Sequence, residues 1–330
     1  MPLSFHFGFL PNKPASEVAE LAALAEMLGF EGIWIADSQS LFRDAWVSLS
    51  ACALRTERIL LATGVTNPVT RHPAVVAGAI ASLDELSGGR AILGIGVGES
   101  AVRTLGLPRA TLARLSAYTS VVRGLLAGET VEFEGSELRM AWPVRPVPIY
   151  FASSGERSLE LAGRLADGVV FQRGSSPAFV RLALEAIARG EEQAGRPRGS
   201  VVRICRLACA VDEDGAAARE EIRGYVSVAA GASRSLPDDV LGPELCEDLR
   251  RMREAYDVHR HGGGGSPQAA LVTDRIVDAF AAAGTPGEVA ARIGELAALQ
   301  VDGFSLTTTA TEPERMLETL AARVLPEVRT

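Results

Sequence analysis

Strand-like and helix-like patterns alternate along this chain in units of about thirty residues, the signature of parallel strands joined by crossover helices. Residues 3–9 read as a first strand. Val18, Leu21, Ala22, Ala25 and Leu28 then recur at helical spacing before Gly29, and Gly32–Ala36 returns as a strand ending at Asp37. A helix near 43–54 leads to strand Ile59–Val65. A helix from Pro73 stops at Ser87-Gly88-Gly89, where glycine suits a left-handed cap, and strand Ala91–Ile95 follows.

The alternation continues through a helix near 109–127, a hairpin of Thr130–Phe133 and Glu137–Met140 turned at Gly135-Ser136, and strand Pro148–Ala152. Helix 155–166, strand Gly168–Gln172, helix 177–194, strand Val201–Val211 and a helix over 213–230 come next. Thr285-Pro286-Gly287-Glu288 has the threonine cap, first-turn proline and glutamate of a helix start, with Val289, Ile293 and Leu296 on one face. Strand Gly303–Thr307 is the eighth, and a helix over 311–328 closes the chain. With the hairpin as decoration, eight strands and right-handed crossovers predict a (β/α)8 TIM barrel of one domain, 1–330. An open doubly wound sheet with an appended domain is the alternative. Residues 232–275, between the seventh and eighth strands, read as a long insertion with mobility expected at Gly262–Gly265.

The chain has 330 residues, a length that one barrel accommodates. Aromatics are only 5% against 47% hydrophobic residues, which favours helix-covered parallel strands over an aromatic-rich sandwich. Net charge is −8, from 33 basic and 41 acidic residues with neither sign gathered into a block, so nucleic-acid binding is not expected. The first residues lack a basic segment followed by an apolar run, and no apolar stretch reaches about 18 residues, so no signal peptide or membrane span is expected and a cytoplasmic location follows. Cys52, Cys205, Cys209 and Cys246 are far apart and read as buried free thiols. His6, His72, His259 and His261 have no recognisable metal-ligand spacing; His259-x-His261 reads as part of a solvated loop.

In such a barrel the chemistry sits just after the strands. Those positions hold Asp37, Gly64-Val65-Thr66-Asn67-Pro68, Gly96-Val97-Gly98-Glu99-Ser100, Ser153-Ser154-Gly155, Gln172-Arg173-Gly174 and Thr307-Thr308-Thr309. Small and polar, they suit a flat ring with an anionic tail better than a hydrolytic triad or a metal. Gly94-x-Gly96-x-Gly98 lacks the third glycine of a dinucleotide fingerprint at its required place. Ser153-Ser154-Gly155 opens directly onto a helix, so its serines either cap that helix or, with the free N–H groups, bind phosphate.

Ala62-Thr63-Gly64-Val65-Thr66-Asn67-Pro68-Val69-Thr70-Arg71-His72-Pro73, Ile80-Ala81-Ser82-Leu83-Asp84-Glu85-Leu86-Ser87-Gly88-Gly89-Arg90 and Leu93-Gly94-Ile95-Gly96-Val97-Gly98 together resemble the bacterial luciferase-like superfamily. Within it, the chain is most similar to the deazaflavin-dependent methylenetetrahydromethanopterin reductase branch, through Ala162-Gly163 and Ala166-Asp167-Gly168 to Gly284-Thr285-Pro286. The resemblance implies a cofactor across the barrel rim, coenzyme F420 or alternatively FMN, with a cis Gly64–Val65 peptide behind its ring. It also implies that Asp37, Thr66 and Asn67 contact ring or substrate, that Ser153, Ser154 and Gly155 hold the tail, and that Gly98 and Gln172 belong to the cofactor bed. Glu99 takes the place of an acidic residue near the reacting centre, with a simple first-turn carboxylate as its other reading. The reductases carry glutamate where this chain has Gly8, and histidine where it has Ser38, both on the substrate side.

The leading expectation is hydride transfer between F420 and a small organic molecule, with Asp37 and Glu99 as catalytic residues. A two-component FMN monooxygenase served by a separate flavin reductase is the alternative, and a non-catalytic cofactor-binding protein is a third. The resemblance further implies a homodimer.

Overall fold

The computed structural model describes residues 3–260, 265–309 and 312–329. Its strands are β1 (Ser4–Phe9), β2 (Gly32–Ile35), β3 (Leu60–Thr63), β4 (Ala91–Ile95), β5 (Val131–Phe133), β6 (Ser136–Leu138), β7 (Ile149–Ser153), β8 (Gly168–Phe171), β9 (Val202–Val211), β10 (Ala281–Gly284) and β11 (Gly303–Thr307). β1, β2, β3, β4, β7, β8, β9 and β11 pair in parallel in that order, and β11 pairs back onto β1 from Ser4↔Gly303 to Gly8↔Thr307. The sheet is therefore a closed eight-stranded barrel, as the alternation of the sequence predicts, and not an open one.

Period-two alternation gives each strand two buried faces. On β9, Cys205 and Leu207 pack outward into the main core under the helices, whereas Ile204 faces the bore with Trp34, Ala62, Ile92 and Val170. Helix starts follow local chemistry: the Asp44 carboxylate accepts from Trp46 and Val47 N–H, and Thr285 and Glu288 form the capping box.

Three expectations need correction. β10 was not foreseen; it pairs with Ala208–Val211 of β9 as a ninth strand, although Ala281-Ala282-Ala283 has the intrinsic preference of a helix. The helix expected over 109–127 begins only at Leu112, capped by Thr111, after a separate short helix Ser100–Arg103. The hairpin turns at Glu134-Gly135, both at positive φ, with Phe133 opposite Ser136; two left-handed residues match the twist of a two-residue hairpin loop. The insertion is largely helical, with Asp238–Leu241, Pro243–Glu254 and Asp274–Phe280. Leu245, Leu249, Met252, Ile276 and Phe280 build a second apolar core with Tyr225 and Val226 of helix Gly215–Ala229. His261 and the glycine run 262–264 lie outside the described residues.

Cys52, Cys205 and Cys209 are buried free thiols, but Cys246 is only half-buried. Burial pushes the Cys52 and Cys209 thiols up to about 12. Among the described residues no group of three or more His, Cys, Asp or Glu is placed to hold a metal, and no helix is long and apolar enough to cross a membrane.

Candidate active site at the barrel rim

The bore widens at the carboxyl ends of the strands because its uppermost inward positions carry almost no side chain: Gly8, Gly64, Gly96 and Ala152. The result is a cavity of about 550 Å³. Gly8 is tightly specified, since a Cβ there would lie 2.2 Å from the Thr307 Oγ1 on the neighbouring strand. The Gly64–Val65 peptide on the cavity wall is cis, as the resemblance implies.

Asn67, Gly98 and Gln172 also line this wall. The Asn67 Oδ1 accepts from Val69 and Thr70 N–H, each at 3.0 Å, and so aims its Nδ2 away from its own turn. That Nδ2, the Gln172 Nε2 and the Thr307 Oγ1 are buried without a partner, the state of polar groups that await a ligand. Gly98 has φ +84°, and a Cβ there would meet Val102 at 2.9 Å and Asn67 at 3.3 Å. Thr66, in contrast, is fully buried and does not line the cavity. Its backbone ties the end of β3 to β4, donating to Gly94 and accepting from Gly96.

Asp37 and Glu99 are the two carboxylates among the residues lining the cavity. Asp37 is 3% exposed and receives the Arg71 Nη1 at 2.6 Å, while Arg71 also reaches Asp44 at 3.0 Å. Burial pushes the Asp37 carboxyl up from its ordinary value, against the pull of Arg71. Glu99 stands on the outer rim, where Arg103 and Arg109 hold its carboxylate at 3.2 and 2.8 Å. Ser38 bonds Ser100 at 2.7 Å, and Gln39 donates to the Ala101 carbonyl. These bonds tie the loop after β2 to the Glu99 segment.

Across the cavity, Ser153, Ser154 and Gly155 lead into helix Glu156–Leu165. The helix is capped by Gly155 without a side-chain bond, so the serine-cap reading does not hold. The Ser153 hydroxyl donates instead to the Ser158 carbonyl, and Ser154 accepts from Ser235 of the insertion. This leaves a positive helix end facing the cavity.

Three contributors were not singled out from the sequence. The insertion supplies a whole wall, with Arg234, Ser235, Met252, Arg253 and Tyr256. Trp34 lines the floor, its indole N–H donating at 3.1 Å to the Nδ1 of His6, deeper in the bore. Arg206 of β9 lies over the Trp34 ring, 6.0 Å from its centroid, and donates to the Gly64 carbonyl at 3.4 Å. An arginine on the same face of β9 as Val202, Ile204, Ala208 and Ala210 was the available signal for Arg206.

The family profile described as luciferase-like monooxygenase matches residues 4–303. The chain is 36% identical over 302 residues to a 5,10-methylenetetrahydromethanopterin reductase of Methanolobus tindarius, covering 89% of this chain and 90% of the relative. It is 34% identical over 267 residues to an F420-dependent glucose-6-phosphate dehydrogenase of Nakamurella multipartita, covering 74% and 77%. Among solved structures, the coenzyme F420-dependent tetrahydromethanopterin reductase of Methanopyrus kandleri superposes with a TM-score of 0.85 at 28% identity, over 99% of this chain and all of that one. With the closed barrel and the profile match agreeing over nearly its whole length, the chain belongs to the luciferase-like monooxygenase family.

Proposed function

We propose that this chain is an oxidoreductase that binds coenzyme F420 at the barrel rim and exchanges hydride between it and a small organic substrate. The observation that carries the reading is the set of unpartnered buried polar atoms, Asn67 Nδ2, Gln172 Nε2 and Thr307 Oγ1, around a cavity floored by glycine. They fit a flat heteroaromatic ring with polar edges, and the similarity to proteins named for F420 dependence supports a deazaflavin. The ring would rest on Gly64 and Val65, with Asn67 and Gln172 reaching its edges and Gly98 permitting close approach. The positive helix end at Ser153, Ser154 and Gly155 would hold the anionic tail, as helix N-termini hold phosphate.

When bound, the deazaflavin supplies or accepts hydride at a ring carbon. The protein's part is to orient the two reactants over one ring face and to exclude water. Glu99 is assigned to proton exchange with the substrate and Asp37 to positioning on the opposite side. The resemblance implies a carboxylate at Gly8 and an imidazole at Ser38, and their replacement argues against a pterin substrate.

The same proposal includes a homodimer. Val47 and Leu54 on helix Ala45–Arg55 and Val75 and Leu86 on helix Pro73–Leu86 are exposed apolar side chains on neighbouring helices, and a second copy is expected to cover them.

The deciding experiment is an anaerobic titration of the purified protein with oxidised and reduced F420 and FMN, followed by absorbance and fluorescence. Tight F420 binding is expected. Preference for reduced FMN with oxygen consumption would replace the proposal with a monooxygenase, and binding without turnover on any hydride donor or acceptor would make the chain a carrier.

A further inference from the structure

Arg206 is a charge that the rest of the fold does not balance. It projects from β9 into the bore, touching the Trp34 face and the Gly64 carbonyl. Its Nε is buried without a partner. Among the described residues no carboxylate lies within ion-pair distance of it, and burial pulls its guanidinium pKa down with only Tyr225 opposing. Arginine nevertheless keeps its proton in proteins. Of the other arginines that line the cavity, Arg103 and Arg109 are held by Glu99, and Arg234 and Arg253 stand on the insertion wall. A buried unpaired cation is costly, and it persists where a ligand supplies the missing negative charge.

We propose that Arg206 is the counter-charge for the pyrimidinedione edge of the reduced deazaflavin and biases the site toward the reduced cofactor. The inference rests on the F420 reading. A deazaflavin that accepts a hydride from an organic donor gains two electrons and one proton, so the ring gains one negative charge while the donor is oxidised by two electrons. When the hydride passes on, that charge leaves with it. A guanidinium beside the Gly64 carbonyl, against which the ring packs, meets this charge without moving. The Trp34 face holds the guanidinium in place, and His6 fixes the indole through its N–H. Charge placed near the ring is a recognised means by which a protein tunes such a cofactor.

The test compares the wild-type protein with Arg206→Gln and Arg206→Lys in anaerobic equilibrium titrations with oxidised and with reduced F420. Arg206→Gln is expected to weaken binding of the reduced form by about tenfold or more, with the oxidised form changing much less, and Arg206→Lys to keep most of the preference. Thermal melting of the ligand-free proteins is the second readout. Because the guanidinium is poorly solvated and unpaired, Arg206→Gln is expected to melt no lower than wild type, whereas a purely structural Arg206 would lower it. Equal weakening of both redox forms, or greater loss for the oxidised form, overturns the proposal. If wild-type protein binds neither form, the F420 reading itself falls, and that is seen before any variant is compared.

Discussion

The indole N–H of Trp34 donates to the Nδ1 of His6 inside the barrel, 3.1 Å away, and this bond requires the imidazole to be neutral on that nitrogen. Burial accordingly lowers the His6 pKa from 6.5 to about 4. The unfolded chain takes up this proton near 6.5, so it binds more protons than the native state between the two values. Stability is therefore intact above pH 6.5 and is lost as pH falls toward 4. Urea unfolding at pH 6.5 and 5 is expected to show a loss of about 2 kcal/mol from this group. In His6→Gln that component should vanish; an unchanged slope would place the proton uptake elsewhere.

The Asp37–Arg71 pair makes a separate prediction. Asp37 is almost completely buried, so Arg71→Met strands a carboxylate without its counter-charge. The expected cost at neutral pH is about 3 kcal/mol, and adding Asp37→Asn should recover much of it. Thermal denaturation of the two single variants and the double variant checks this, and a near-neutral Arg71→Met would show that Asp37 is satisfied by other groups.

Gln172 has an amide nitrogen with no partner in the free protein. Replacing it with methionine removes an unsatisfied polar group, so the ligand-free protein should be as stable or more so, while cofactor affinity falls about tenfold. Opposite signs in the two measurements identify a residue kept for binding. Loss of both would make it part of the scaffold.

Glu99→Gln keeps the size of the side chain while removing the charge that Arg103 and Arg109 hold. Turnover is expected to fall by about 100-fold with F420 affinity nearly unchanged. Parallel losses would mark Glu99 as a binding or structural residue.

Much of this architecture was legible from hydrophobic period and punctuation. Asp37 is found just beyond a buried strand, Gly88 and Gly89 at a left-handed helix end and Thr285 at a capping box, because each has a local cause that its neighbours display. The failures share a different cause. Ala281-Ala282-Ala283 is a strand only because β9 offers it an unpaired stretch, a tertiary effect that overrides alanine's preference. Ser153 looked like a helix cap but spends its hydroxyl one turn further on. Arg206 and Tyr256 reach the cavity from the middle of a strand and from the insertion; the two-residue period gives the direction of the first, and nothing in the immediate sequence gives that of the second.

The wall built by residues 234–256 has a consequence for how such a protein diversifies. The barrel closes through hydrogen bonds among eight strands that do not include this segment, and the segment packs into an apolar cluster apart from the main core, shared with helix Gly215–Ala229 and the end of β9. Its cavity-facing residues are thus free to change in size and charge without disturbing strand register or the glycine floor. Selection can retailor the shape of the molecule admitted while the hydride-handling surface stays as it is, so new specificities are reached by exchanging one side of the chamber.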